Sequence, residues 1–293
     1  MTRPALAAAR ALQVIDLFVT HPDAHFNLTE ISRRTGINSA SAHALLNVML
    51  RSGYLQRHPE RKTYALGPSL VVAGTAALRH LDGIRAAQQE IDGLSEAVAL
   101  EVVITTVAGD DILVVAKSTY SSPYGASISA GQRLTMAPPI GSVFLAWSSS
   151  AEVERWLARS QSLSEDERSL QRSVLDVVRT RGYAIAFETA LRRSLAITLA
   201  QPDDDHAANA VALHLDEMVH SPYHLTVVDP DSTYDVGMIA APVFDSNGSV
   251  VAAITLSGFN PGTSGRDVLD IGERLSSAAR LITKRSGGRM PSA

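Results

Sequence analysis

Four histidines lie within nineteen residues of the chain, at His206, His214, His220 and His224. Imidazole is a common ligand of transition metals, so the cluster raises the question of a metal site. Pro222 separates the last two histidines, and the spacing gives no clear pair of ligands on one helix face. We therefore interpret them as surface histidines and predict neither a metal site nor a cofactor.

A catalytic centre would need a nucleophile, a base and an orienting group in a recognisable context. The sequence has no cysteine, no glycine-flanked serine elbow, no Gly-Lys-Ser/Thr phosphate loop and no G-x-G-x-x-G motif. Serine, histidine and aspartate are plentiful, so an enzyme with a scattered triad stays open as an alternative. We predict no catalytic residues.

The charged residues are distributed unevenly along the chain. Residues 1–80 contain nine Lys or Arg and four Asp or Glu, a net charge of +5, whereas the remainder has 17 basic and 26 acidic residues, a net charge of −9. A small basic unit on a larger acidic body is typical of a polyanion-binding module attached to a regulatory domain. The length of 293 residues also favours two domains.

No segment is predicted to enter a membrane or a secretion pathway. Arg10 and Asp16 interrupt the N-terminal apolar run, which excludes a signal peptide. The uncharged stretches 134–151 and 246–265 contain Pro, Gly or polar clusters that disfavour a bilayer helix. Together with the absence of cysteine, this favours a cytoplasmic protein.

The basic unit has the pattern of a helix-turn-helix. Apolar spacing predicts helices over 5–20, 28–35 and 39–52, with Thr29 and Asn38 as N-caps of the second and third. His21-Pro22 ends the first helix, and glycines follow the other two. Residues 54–57 and 62–66 then read as a hairpin, which is the wing of a winged helix-turn-helix. A winged-helix module that binds protein instead of DNA is the alternative.

The third helix would present one face to DNA. His43 and Asn47 are four residues apart and can reach base edges, whereas Ala40 and Ala44 can contact thymine methyl groups. Basic residues near the helix end and in the wing suit phosphates. The predicted DNA contacts are Thr29, Arg33, Arg34, Asn38, Ser39, Ala40, His43, Ala44, Asn47, Arg51, Arg57, Arg61 and Lys62.

Seven blocks of sequence follow one another along the chain: RALQVIDLF, LTEISRRTGINSASAHALL, SGYLQRHPERKTYALGPSLVVAG, DDILVVAKS, IGSVFLAW, RGYAIAFE and MIAAPVFDSNGSVVAAITLSGF. Together and in this order, they resemble the IclR family of bacterial transcriptional regulators. The resemblance implies a winged helix-turn-helix, a linker helix and a GAF-like α/β domain that binds a small effector. It also implies binding to double-stranded promoter DNA as a homodimer or homotetramer.

The sequence departs from the family pattern in two places. The family often carries Lys and Arg where this chain has Ser39 and Ala44, so base contacts there do not transfer. About forty extra residues, 190–234, also precede the Ala-Ala-Pro strand. We predict an ordered addition with strands at Leu195–Leu199 and Tyr223–Val228 and a helix over 207–219, which covers the pocket or enlarges a subunit interface. Asp203, Asp204 and Asp205 would lie near the positive end of that helix.

The predicted fold class is α+β, with a mainly antiparallel sheet in the effector domain. Hairpin signals join 102–107 to 112–116 and 238–244 to 250–256. Helices are predicted over 70–97 with interruptions at Gly74 and Gly83, and over 140–148, 151–159, 165–181 and 269–284. The expected domains are 1–67 (winged helix-turn-helix), 68–82 (linker helix), 83–287 (effector domain) and 288–293 (tail).

The resemblance places the effector between the IGSVFLAW helix start, the Ala-Ala-Pro strand and the TLS strand. An acid often precedes the Ala-Ala-Pro strand in the family, and Glu188, Asp231 and Asp235 compete for that role. The effector-site residues implied are Pro139, Ile140, Gly141, Ser142, Glu188, Asp235, Pro242, Thr255 and Ser257.

The residues drawn from the three pocket elements, without the acids, are apolar or hydroxylic and contain no Lys or Arg. They predict an apolar or aromatic effector with at most one carboxylate, bound by free amides where the helix near Gly141 begins. Thr255 and Ser257 would share one strand face and hydrogen-bond the ligand, although ordinary strand hydroxyls would look the same. Arg133 or Arg192 would add positive charge if its element folded against the site.

Overall fold

The chain divides into two units between Leu81 and Asp82. The structure, a computed structural model, describes residues 5–21, 23–125, 128–160, 162–200 and 205–291, with the backbone alone over 199–200 and 205–209. The predictions for Pro22, Asp203, Asp204 and the last two residues of the tail therefore lie outside the described residues, as do those for the side chains of Asp205 and His206.

Three helices form the core of the first unit, and a capped turn positions the third. They are α1 (Leu6–Val19), α2 (Leu28–Thr35) and α3 (Ser39–Arg51). Ala42, Leu46 and Met49 of α3 are buried against apolar residues of α1 and α2. Gly36 ends α2 with φ of 64°, in the left-handed region predicted for it. The helix-turn-helix prediction is confirmed.

The predicted N-cap of α3 is correct and that of α2 is wrong. The side chain of Asn38 accepts a hydrogen bond from the Ser41 amide. The cap of α2 is Asn27, which accepts from the Glu30 amide while the Glu30 carboxylate accepts from the Asn27 amide. This reciprocal pair satisfies two of the free amides at the helix start, so the helix begins at Leu28 and Thr29 is an exposed first-turn residue.

A short hairpin follows α3, as the wing prediction requires. Strands β1 (Leu55–Arg57) and β2 (Tyr64–Leu66) are antiparallel. A Cβ on Gly67 would lie 2.2 Å from the Gly53 carbonyl oxygen, so glycine permits the two ends of the hairpin to approach each other. At the tip, Lys62 has φ of 54°, which an L-residue adopts at a cost.

The predicted linker helix is shorter than expected, and its break lies elsewhere. Helix α4 spans Ser69–Leu78 and passes through Gly74 without interruption. Glycine in a helix interior costs only about 1 kcal/mol relative to alanine, which the neighbouring helix-forming residues offset. Helix α5 begins at Asp82, so the break falls at residues 79–81 and Gly83 lies inside α5.

The second unit contains a six-stranded antiparallel sheet with the order β5-β4-β3-β9-β8-β6. Both predicted hairpins are present in it, and β7 and β10 form a separate short pair. The strands are β3 (Glu101–Ala108), β4 (Asp111–Lys117), β5 (Arg133–Thr135), β6 (Ala184–Phe187), β7 (Thr233–Tyr234), β8 (Val236–Phe244), β9 (Val250–Ser257) and β10 (Thr263–Ser264).

Helices cover this sheet. Helices α5 and α11 pack against its central strands, while α6, α7 and α8 contribute the main apolar cluster with residues of β6, β8 and β9. The helices of this unit are α5 (Asp82–Val98), α6 (Ser142–Leu145), α7 (Ser150–Leu157), α8 (Glu165–Arg181), α9 (Ala190–Ala200), α10 (Asp205–Val219) and α11 (Gly265–Arg285). The mainly antiparallel α/β architecture is confirmed.

Three element predictions in this unit are wrong. The helix expected over 140–148 is only the four residues of α6, because Ser149 caps α7 and starts a new helix direction. The strand expected at Leu195–Leu199 lies within helix α9, where Leu191 and Leu195, four residues apart, both pack into the core. The strand expected at Tyr223–Val228 makes one isolated bridge, between His224 and Ala186. The predicted helix over 207–219 is present as α10.

No helix in the described part of the chain is both long enough and apolar enough to span a membrane.

Candidate functional site

The exposed face of α3 carries the side chains predicted to meet DNA. Ser39, Ala40, His43, Ala44 and Arg51 are exposed, opposite the buried face of the helix. Asn47 is half-buried, and its amide nitrogen lies 3.3 Å from His43 Nδ1. The two base-reading candidates therefore contact each other across one helical turn and can act as a single hydrogen-bonding unit.

Basic side chains flank this face, and two of them contact aromatic rings: Arg34, and Arg57, whose guanidinium lies 5.6 Å from the centroid of the Tyr64 ring. Arg33, Arg57, Arg61 and Lys62 are exposed. The Arg34 guanidinium instead stacks on the Phe26 ring, 4.8 Å from its centroid. The Arg34 Nε is also buried with no hydrogen-bond partner among the described residues. Arg34 therefore packs the helix-turn-helix core through cation–π contact and is less available to phosphate than the other four.

The second unit contains an apolar cavity of about 150 Å³ beside the sheet. Five of the nine predicted effector residues line it, namely Ile140, Gly141, Ser142, Thr255 and Ser257. Arg133 and Arg192, which the sequence offers as alternatives, also line it, whereas the wall residues Val103, Thr105, Phe144, Met238 and Ala240 are not predicted from the sequence. The residues of β3 and β8 among them alternate along their strands, which indicates that they share a face of the sheet. Which strands pair, and so which residues meet at the cavity, does not follow from the local sequence.

Strand register explains why these residues share one wall. Val103 of β3 pairs with Thr255 of β9, and Thr255 pairs with Ala240 of β8, so all three point to the same face of the sheet. Ser257 lies two residues further on that face, and its buried Oγ has no hydrogen-bond partner in the described structure. A buried hydroxyl without a partner costs free energy that a bound ligand can recover.

Segment 190–234 contributes to the wall of the apolar cavity. Arg192, Leu195 and Ala196 of α9, with Met218 and Tyr223, form part of its lining. Burial raises the pKa of Tyr223 to about 12, so its phenol stays neutral and can donate a hydrogen bond at physiological pH. The prediction that this segment covers the pocket agrees with these positions, although its elements are helical.

Glu188 and Asp235 line a different cavity from the other predicted effector residues. This polar cavity has a volume of about 400 Å³ and is also lined by Arg192 and Arg193. The Glu188 carboxylate pairs with Arg192 Nη1 at 2.5 Å and with Arg193 Nε at 3.7 Å. The two cavities share Arg192 and Ala196. Arg192 of α9 lines both cavities and pairs with Glu188, which itself lines only the polar cavity.

Pro139 and Pro242 are absent from the lining of the apolar cavity. Pro242 is on the cavity face of β8 but two residues beyond Ala240, opposite Ala253. The Pro139 carbonyl oxygen lies 3.1 Å from His224 Nε2 and accepts its hydrogen. This hydrogen bond connects segment 190–234 to the loop that precedes Ile140. Burial of His224 lowers its pKa to about 4.

The clustered histidines have separate partners. His214 Nδ1 contacts the Ala210 carbonyl, His220 Nδ1 contacts Glu167 Oε1 at 2.6 Å, and His224 contacts Pro139. Across the residues that the structure describes, no three His, Asp or Glu side chains are arranged to hold a metal ion.

The chain combines a winged helix-turn-helix, whose third helix is exposed, with an α/β unit that contains an apolar cavity. This combination is typical of ligand-responsive DNA-binding regulators. Residues 7–59 match the IclR helix-turn-helix domain, and residues 75–213 match the C-terminal domain of the bacterial transcriptional regulator IclR. The chain belongs to the IclR family and is a DNA-binding transcriptional regulator with a C-terminal ligand-binding domain.

Individual relatives agree with this assignment. The chain is 24% identical over 279 residues to the HTH-type transcriptional regulator XynR of Escherichia coli, covering 95% of this chain and 96% of XynR. The crystal structure of an IclR regulator from Alicyclobacillus acidocaldarius has the same fold, with a TM-score of 0.66, 20% identity and coverage of 97% and 100%. An IclR homologue from Microbacterium hydrocarbonoxydans, complexed with 4-hydroxybenzoate, gives a TM-score of 0.61 at 18% identity, with coverage of 96% and 98%.

Proposed function

We propose that the chain regulates transcription by binding a pseudo-palindromic operator as a dimer, and that a small aromatic or apolar monocarboxylate in the apolar cavity changes its operator affinity. The unpartnered Ser257 hydroxyl in a mostly apolar wall carries the ligand part of this proposal. An apolar cavity of about 150 Å³ is large enough for benzene, so a single ring fits this volume.

The ligand contacts in this proposal are the cavity residues Ile140, Gly141, Ser142, Thr255 and Ser257. Thr255 and Ser257 would hydrogen-bond the polar end of the ligand from one strand face. The predicted amide site at the start of α6 is weaker than expected, because a four-residue helix has only a small dipole. The ligand leaves unchanged in this scheme, and the protein acts in the cytoplasm on chromosomal DNA.

The surface of α4 supports self-association. None of its residues is buried, and Val71 and Val72 are each 71% exposed. Leu6 and Leu12 of α1 are each 61% exposed. Apolar surface of this extent in the DNA-binding unit favours a second copy as its partner, which would also supply the second recognition helix. Sedimentation equilibrium of the full chain tests this, and a monomer at micromolar concentration would contradict it.

Calorimetric titration of the full chain tests the ligand class. We expect benzoate-like monoacids to bind more tightly than dicarboxylates or phosphorylated compounds, and chromatography to recover them unchanged. Ser257→Ala should weaken binding, whereas Ser277→Ala on the exposed face of α11 should not. A preference for dicarboxylates, or turnover of the ligand, would overturn the proposal.

A further inference from the structure

Arg192 occupies the boundary between the apolar and the polar cavity. It is one of two residues that line both, and its side chain is only 14% exposed. A Cβ on Gly237 would lie 3.0 Å from Arg192 Cδ and 2.9 Å from Glu188 Oε2. The arginine and its acidic partner therefore lie close over β8, and the glycine leaves room for them.

The guanidinium retains unused hydrogen-bonding capacity. Its Nη1 pairs with Glu188, but its remaining N–H groups make no hydrogen bond with any residue that the structure describes. An arginine offers five N–H donors in a planar fork that matches a carboxylate. A half-satisfied arginine at the edge of an apolar cavity is therefore suited to a ligand that brings one carboxylate.

Glu188 would keep a partner if Arg192 turned to a ligand. Its other carboxylate oxygen, Oε1, lies 3.7 Å from Arg193 Nε, and Arg193 also lines the polar cavity. If Arg192 turned to the ligand, the Glu188 carboxylate would therefore still have a partner. A buried carboxylate left without a partner would oppose that change. The neutral Tyr223 phenol in the same cavity adds a donor, and its hydroxyl makes no hydrogen bond with a described residue.

From this arrangement we propose that Arg192 is the specificity-determining residue that binds the effector carboxylate, in competition with Glu188. The inference rests on the proposed function, since it requires a ligand in the apolar cavity. The apolar body of that ligand lies against Val103 and Met238, and its carboxylate lies at the boundary of the two cavities. Helix α9, which belongs to segment 190–234, thereby supplies the charge recognition, whereas Arg133 of β5, which also lines the apolar cavity, is paired with Asp111.

The test compares acids with their neutral amides on the full chain. Benzoate and benzamide, 4-hydroxybenzoate and 4-hydroxybenzamide, and phenylacetate and phenylacetamide are titrated by calorimetry. We expect wild type to prefer at least one acid by roughly tenfold or more, the scale of one charge-assisted hydrogen bond. Arg192→Gln should remove the preference while leaving amide binding unchanged. Arg192→Lys should retain part of it, and thermal melts confirm folding of each variant.

Two further variants distinguish binding from a structural role. Arg280→Gln, at an exposed arginine of α11 that lines neither cavity, should retain the preference for acids. Glu188→Gln should strengthen acid binding several-fold, because Arg192 no longer has to leave an ion pair, whereas a merely structural pair would give weaker binding.

Three results would overturn the role of Arg192 while leaving the effector cavity intact. They are a preference for acids that survives Arg192→Gln, equal binding of acid and amide by wild type, and weaker acid binding by Glu188→Gln. If no acid or amide bound, the proposed ligand class and this inference would fail together.

Discussion

Acidification should destabilise the effector-binding unit through His224, the buried histidine that joins segment 190–234 to the cavity loop. Its imidazole donates from Nε2 to the Pro139 carbonyl oxygen, and its Nδ1 is buried without a partner among the described residues. A second proton on Nδ1 would have no acceptor. Burial, the largest cause, therefore lowers its pKa from 6.5 to about 4, and nearby Arg181 acts in the same direction.

The sign and size of the effect follow from proton linkage. The unfolded chain takes up this proton near pH 6.5 and the folded chain only near pH 4, so stability falls as the pH decreases through that window. Each unit of pKa difference corresponds to about 1.4 kcal/mol, so the full loss is about 3 kcal/mol at pH 4. Between pH 7.5 and pH 5 the expected loss is about 2 kcal/mol.

Urea unfolding at several pH values measures this loss, with wild type compared to His224→Gln. Glutamine can still donate to the Pro139 carbonyl but does not titrate, so the variant should lose about 2 kcal/mol less than wild type between pH 7.5 and 5. His80→Gln, at an exposed histidine, should follow wild type. Parallel pH profiles for wild type and His224→Gln would refute the reasoning.

Four further variants test other parts of the account. Lys62→Gly should raise the free energy of unfolding by about 1 kcal/mol, because it relieves the positive φ, yet reduce the salt dependence of DNA binding by about one ion; reduced stability in urea unfolding would contradict it. Asn47→Ala should relax preference at particular operator bases by roughly 1–3 kcal/mol, whereas Arg51→Ala should weaken all duplexes alike in anisotropy titrations. Leu195→Ala should destabilise the fold by about 2–4 kcal/mol in urea titrations, and a loss below 1 kcal/mol would place Leu195 outside the core.

The DNA-binding unit was predictable because its signals are local. Gly36 and Asn38 define the turn between α2 and α3 within a few residues, and the apolar spacing of α3 fixes which face is exposed. The error at Thr29 shows the limit of such reasoning. Asn27 and Thr29 are both good caps, and only the reciprocal bond with Glu30 decides between them.

The effector site was only partly predictable because sheet pairing and α9 assemble it from distant segments. Thr255 and Ser257 are implied by the family resemblance, and their alternation then places them on one face of β9. Arg192 entered the sequence analysis only as an alternative, since Leu195–Leu199 contains the β-branched Ile197 and Thr198 and was interpreted as a strand. The helical spacing of Leu191 and Leu195, which turns Arg192 toward the cavities, becomes decisive only with the core in place.

Linked binding of operator and ligand tests the central claim most directly. An operator duplex is selected from genomic fragments with the full chain, and its dissociation constant is measured by anisotropy without ligand and with the tightest-binding monoacid at saturation. The account predicts a change of about 5-fold or more, and the same factor in the affinity for the monoacid when operator is bound. A monoacid that occupies the cavity and leaves operator affinity unchanged would contradict it.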